Sequence, residues 1–199
     1  MPKSTSVHVE HARERQLEAL APSMIPSLHR GQHQVAWSPP KAPWYKINYN
    51  ATTFIEDSKA GLGVVIWNNA SLVMASFTQQ IPLPAIVIEI EALAARRAME
   101  LAVEIGLANI VLEGNNETLF KALKSGDRSL AQHGHLIKGI LFLSSYCLAF
   151  TVSFVRRQCN KLAHSLARKG KSLPSMTIWM EDVPPDLVSI FQADLNNLP

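Results

Sequence analysis

A single α/β domain on a five-stranded mixed sheet flanked by helices, in the order βββαβααβα, is the architecture this 199-residue chain predicts. Three observations carry it. Three β-rich runs follow one another from Tyr45 to Ile81, a strongly helical segment begins after Pro84, and from there strands and helices alternate as far as Lys169. Strands joined by short turns pair antiparallel, and strands joined through a helix pair parallel. The sheet is therefore expected to be antiparallel at one edge and parallel at the other.

Residues 1–36 are polar and irregular, with at most one weak helix from Glu10 to Leu20, and WSPPKAPW then sets three prolines within eight residues, which marks a boundary. From Tyr45 the run YKINYNATTFI alternates Ile47, Tyr49 and Ala51 with Lys46, Asn48 and Asn50, the period of a strand. A turn at EDSKAG follows. GLGVVIWN and SLVMASFTQQI are two further strands, and the turn residues Asn68 to Ala70 between them signal a hairpin. Between Glu89 and Ile105, Leu93, Ala94, Met99, Leu101 and Ala102 recur at helical spacing, and Gly106 stands where a helix terminates. ANIVLEG is a short, nearly continuous apolar strand. Helices are expected over Glu117–Lys124 and Gln132–Tyr146, then a strand at AFTVSFV and a helix over Lys161–Lys169. Residues 172–199 read as a short appendage with one helical turn near Asp186 to Ala193. The expected organisation is an N-terminal segment 1–36, a domain 37–171 and a tail 172–199.

Composition excludes whole classes. At 47% hydrophobic and 18% charged residues the chain is too apolar to be disordered throughout and large enough to bury a core. Its net charge of +3 hides an asymmetry: residues 118–171 hold ten basic residues and one acid, Asp127, while the remainder carries an excess of acids. A cationic segment of that kind suits a polyanionic partner. Cys147 and Cys159 form no CxxC pattern, so neither a disulfide framework nor a cysteine zinc site is indicated, and a reducing intracellular compartment, nuclear or cytoplasmic, fits. The amino terminus lacks the apolar run of a secretory signal, and the stretch Ile140–Val155 is broken by five polar or hydroxyl-bearing residues, so no membrane span is expected.

The runs WSPPKAPWYKINYNA, AGLGVVIWN, IEALAARRAMELAVEIGL, VLEGNNETLFKAL and FVRRQCNKLAHSLAR resemble, in order and spacing, the ribonuclease H domain of plant retroelement reverse transcriptases and its stand-alone relatives. The resemblance covers roughly Trp37 to Lys171. Trp179, Pro184, Asp186 and Asp194 in the tail resemble the segment that often closes these proteins. It implies a ribonuclease H-like fold, a monomer, and a nuclease that cuts the RNA strand of an RNA/DNA hybrid with two Mg²⁺ or Mn²⁺ ions held by carboxylates. Hard divalent ions require oxygen ligands, and a pair of them stabilises both the attacking and the leaving oxygen of a phosphoryl displacement.

On that resemblance the family's first aspartate falls on Asn50, its helix glutamate on Glu91, its second aspartate on Asn115 and its last metal-site position on His164. Only Glu91 is an acid. At an effective dielectric near 20 a unit charge about 4 Å from another is worth about 4 kcal/mol, and a divalent ion roughly doubles that, so two lost carboxylates predict impaired or absent hydrolysis. Glu113, on the same strand face as Asn115, is the nearest acid that could compensate, although the family pattern already carries an acid there. Without the resemblance, Glu91 reads as a helix-surface acid, Asn50 as a strand-edge polar residue, Asn115 as a helix cap and His164 as a half-exposed histidine. His133 and His135 read as a helix-start feature with no third ligand. Arg156, Arg157, Lys161, Arg168 and Lys169 are the candidate phosphate contacts, with Lys161 and Arg168 on the helical face of His164. They predict binding to an RNA/DNA hybrid or duplex through its backbone, with or without surviving catalysis.

Overall fold

Alternation along YKINYNATTF has a direct structural consequence: its strand lies at the centre of the sheet, with one set of side chains facing each layer of helices. In the computed structural model, which describes residues 37–126, 134–173 and 176–196, this is β1 (Tyr45–Phe54). β2 (Lys59–Trp67) and β3 (Val73–Pro82) pair with it as an antiparallel meander. α1 (Val87–Glu104) then carries the chain across to β4 (Asn109–Gly114), which pairs parallel with β1 on its other side. α2 (Glu117–Ser125) and α3 (Gly134–Ser144) lead to β5 (Ala149–Phe154), parallel to β4. α4 (Lys161–Lys169) follows.

The expected α/β class, the mixed sheet and its antiparallel and parallel halves are all present. The strand count is corrected from five to six. β6 (Thr177–Met180), from the tail, adds antiparallel to the outer edge of β3, giving the order β5-β4-β1-β2-β3-β6. The tail then turns through a 3-10 segment at Pro185–Leu187 into α5 (Val188–Asn196), a full helix where a single turn is expected from the sequence. The proposed weak helix at residues 10–20, and His133 of the HxH pair, lie outside the described residues.

Two apolar layers sandwich the sheet. On one face Ile47, Tyr49, Leu62, Val64 and Ile66 pack against the small residues of α1, Ala94, Ala95, Ala98 and Ala102, and against Leu136 and Ile140 of α3. On the other, Val65, Trp67 and Trp37 pack against Leu162 and Leu166 of α4 and against Val183, Leu187, Phe191 and Leu195 of the tail. Trp67 stacks on Phe191 with ring centroids 5.7 Å apart. The tail thus supplies about a third of the second layer's buried side chains, which makes it part of that layer's packing.

The close fit of α4 explains the spacing Ala60-Gly61-Leu62-Gly63. Leu62 faces the first layer, and the two glycines face α4 at backbone distance. A Cβ on Gly61 would lie 2.0 Å from Ala167 O, and one on Gly63 would lie 2.2 Å from Ala167 N. No side chain fits there.

Candidate functional site

The parallel ladder between β1 and β4 ends at the pair Asn48 and Glu113. Beyond it the two carboxyl ends part, at the point where chain order switches sides of β1, which is where open α/β sheets form their ligand clefts. Asn50 and Asn115 stand two residues past that last pair and face each other across the opening. A cleft of about 220 Å³ results, lined by Asn50, Glu91, Asn115, Arg157 and His164 together with Thr52 and Thr53. All four positions that the sequence resemblance nominates are brought together here.

Their chemistry is that of a closed amide chain. Asn50 Nδ2 donates to Asn115 Oδ1 at 2.7 Å, and Asn50 Oδ1 lies 2.9 Å from His164 Nδ1. Because Asn50 gives its N–H groups toward Asn115, its oxygen is an acceptor and His164 Nδ1 carries the proton, leaving the lone pair on Nε2. Burial, with the nearby Arg157 and Arg168 adding to it, holds the His164 pKa below its usual value, so the ring is neutral at pH 7. Asn50 is buried, in a central strand rather than at a strand edge. Asn115 is not the helix cap: Asn116 is, accepting from Leu119 N at 3.0 Å, which leaves the Asn115 amide to the cleft.

A third amide joins the chain. Asn160 occupies the N-cap position of α4, yet its side chain does not cap the helix. Its Nδ2 donates instead to Tyr49 O at 2.9 Å and, more weakly, to Asn115 Oδ1 at 3.4 Å. The cap comes from the tail, where Asp194 Oδ2 accepts from Leu162 N at 3.2 Å. The sequence motif contained Asn160 between Arg157 and His164 but offered no pattern from which its role follows, since a long-range amide contact leaves no local periodicity.

Glu91 reaches the cleft from the first turns of α1. Burial pushes its carboxyl up to about 7, only partly offset by a hydrogen bond from the Ala51 backbone and by the charge of Arg157. Its Oε2 is buried and has no hydrogen-bond partner among the described residues. Glu113 does not join it. It accepts from Asn48 Nδ2 at 2.9 Å and pairs with Lys46 at 3.4 Å, and Asn48 in turn accepts from the Trp37 indole at 3.1 Å.

These residues do not fit a pair of divalent ions. Anionic oxygens are what such ions need, and the site offers one carboxyl whose charge is disfavoured by burial. The Asn115 oxygen that could ligate already accepts the Asn50 N–H. Among the described residues no group of three or more His, Cys, Asp or Glu side chains is placed to hold a metal. The two amides occupy the cleft as a neutral hydrogen-bonded pair, which supplies none of the anionic oxygens a divalent ion would need.

Of the basic candidates, Arg156, Arg157, Lys161 and Arg168 are exposed: Arg157 lines the cleft, Arg156 precedes it, and Lys161 and Arg168 lie along α4. Lys169 is half-buried and ion-paired with Asp186 at 2.7 Å, so its charge is answered within the protein. His135 is exposed on α3, away from the cleft-lining set.

The sequence profile of the reverse transcriptase-like family matches residues 48–170, more than half of the chain. No curated protein sequence matches. Among solved structures, RNase H1 of the halophilic archaeon Halobacterium salinarum NRC-1 superposes with a TM-score of 0.59 at 19% identity, over 65% of this chain and 98% of that one. LC11-RNase H1, isolated from compost by a metagenomic approach and solved with an RNA/DNA hybrid, gives 0.57 at 16% identity, over 65% and 99%. The foamy viral protease-reverse transcriptase, also with a hybrid, gives 0.51 at 17% identity, over 75% and 23%. Likeness at such identities speaks for the fold alone. The family profile covers more than half of the chain, and the chain therefore belongs to the reverse transcriptase-like family, built on the RNase H-like fold.

Proposed function

We propose that this domain holds an RNA/DNA hybrid, or a duplex of similar shape, through backbone contacts along α4 and does not cut it. The observation that carries this reading is the Asn50–Asn115 amide pair, 2.7 Å across, at the centre of the cleft. Hydrolysis by the family's metal-dependent route is the ancestral activity the sequence resemblance implies, and it needs charge where these amides sit. Binding needs none of it. Arg156, Arg157, Lys161 and Arg168 provide exposed cations on and just before α4, with Arg157 lining the cleft, suited to phosphates and to the 2′-hydroxyls that distinguish RNA. LC11-RNase H1 was solved with an RNA/DNA hybrid, and the similar fold supports the same class of partner here. The sequence resemblance further supports descent from a plant retroelement, and the domain acts as a monomer. Two free cysteines, with no disulfide, fit an intracellular site of action in the nucleus or cytoplasm.

Incubation of the full chain with labelled RNA/DNA hybrid in Mg²⁺ or Mn²⁺ tests this. A retarded complex with intact RNA is expected, with cleavage appearing only in the Asn50→Asp, Asn115→Asp double variant. Cleavage by the unaltered chain at a rate comparable with the double variant would overturn the reading.

A further inference from the structure

A second, larger hollow adjoins the cleft and shares Arg157 and His164 with it. Its volume is about 520 Å³, and Gln158, Lys161, Ser165 and Ile190 complete its lining. That volume lies within the range of about 300–1,000 Å³ typical of small-molecule sites. Ile190 belongs to α5, beyond residue 170, so this one wall of the groove lies outside the segment the family profile describes, while the other lining residues lie within it.

The far wall is firmly held. Leu187 and Phe191, which flank Ile190 in the chain, are buried in the second apolar layer together with Leu195, and Asp194 caps α4. Asp186 holds Lys169 at the other end of α4, so the tail fixes both ends of the helix that forms the near wall. The groove is therefore preformed between two clamped helices. Its accessible lining is mostly apolar, with Ile190 as the apolar side chain, while exposed Arg157 and Lys161 stand at its rim.

An apolar slot with cations at its edge, continuous with a duplex-binding cleft, matches a nucleotide whose base has no partner. Paired bases keep their faces stacked inside the duplex and expose phosphates. An unpaired base offers a flat apolar face and a polar edge. We infer that the α4–α5 groove takes one unpaired nucleotide flanking the hybrid. The base lies against Ile190 and the Arg157 guanidinium, Gln158 and Ser165 reach its edge, and Lys161 meets its phosphate. This rests on the nucleic-acid reading above and names the ligand class more narrowly: a hybrid with a single-stranded flank.

Fluorescence anisotropy with the full chain compares a blunt RNA/DNA hybrid with the same hybrid carrying a short single-stranded overhang. The overhang is expected to tighten binding by about fivefold or more, the lower end of what stacking one base contributes. Ile190→Asp should abolish that gain, and Ser165→Glu, which places the charge on the opposite wall, should do the same where Ile190→Asp folds poorly. Salt-sensitive binding of the blunt hybrid with no gain from the overhang, or a gain that survives both variants, would overturn the groove assignment alone. Failure of both ligands to bind at low salt would overturn the nucleic-acid reading along with it.

Discussion

Asn50 and Asn115 place two oxygen-bearing side chains 2.7 Å apart, and what lies between them decides the site's chemistry. With amides, an N–H donated by Asn50 satisfies the contact. With carboxylates, two anions would face each other and require a cation. The Asn50→Asp, Asn115→Asp double variant should therefore melt at a lower temperature in EDTA and recover in millimolar Mg²⁺, because a ligand of the native state stabilises it. The unaltered chain should melt at the same temperature in both, and a matching Mg²⁺-dependent rise there would contradict the site described. Glu91 gives a second expectation. Its folded pKa of about 7 lies above the ordinary 4.5, so the folded state favours its protonated form. The stability this brings is full below about pH 4.5 and is lost as pH rises through 7, on the order of 3 kcal/mol in all. Glu91→Gln should flatten that slope and raise the urea midpoint at about pH 8, where the charged form is most costly. These positions were legible from the sequence only through its resemblance to the ribonuclease H family; taken alone, the residues read as ordinary surface or capping groups. Asn160 and the Asn116 cap were not assigned there, because neighbouring asparagines look alike until the backbone shows which one opens a helix.

At the scale of the element, α4 is the part on which both readings depend, since it carries His164, Lys161 and Arg168. Its place is set by contacts with glycine on one side and the tail on the other. Gly63→Val would put side-chain carbons where Ala163 O and Ala167 N already lie, within 2.3 Å of the built Cβ. Overpacking typically costs about 1–3 kcal/mol, and a clash with helix backbone should lie at the upper end, visible as a lowered urea midpoint with hybrid binding lost in parallel. Asp194→Ala removes a buried cap and should cost about 1 kcal/mol, with Asp194→Asn recovering part, because asparagine also accepts at a helix start. An Asp194→Ala variant as stable as the unaltered chain would show that the cap does not hold α4. β6 shows why the tail was underread: TIWM is only four residues long and exposes Ile178 and Met180, so its pairing with β3 depends on a sheet edge that only the fold provides. α1 to α4 and the first five strands, by contrast, announce themselves through local patterns, by periodicity or, for β4, by a short apolar run.

Across the whole molecule, charge and fold divide along the same line. Most of the basic residues of 118–171 belong to the half of the chain that builds β5 and α4, yet the structure sorts them further than a count can. Lys169 is answered by Asp186, Lys121 by Glu117 and Lys171 by Asp57. Arg156, Arg157, Lys161 and Arg168 remain exposed with no ion pair to a described acid, as do Lys124 and Lys138 farther off, and these four lie on or just before α4, with Arg157 lining both cleft and groove and Lys161 lining the groove. A count of ten cations would forecast a far steeper salt dependence than four would. Each phosphate neutralised on a duplex contributes about −0.9 to the slope of log K against log salt, so four contacts give about −3.6. Binding isotherms for blunt hybrid across a series of salt concentrations measure it directly. Lys161→Gln should make the slope shallower by about one, with a uniform loss of affinity across hybrid sequences. Lys169→Gln should leave the slope where it was, since that charge already faces Asp186. A slope that Lys169→Gln changes as much as Lys161→Gln would mean that the internal ion pair opens on binding and that the tail releases α4 when nucleic acid arrives.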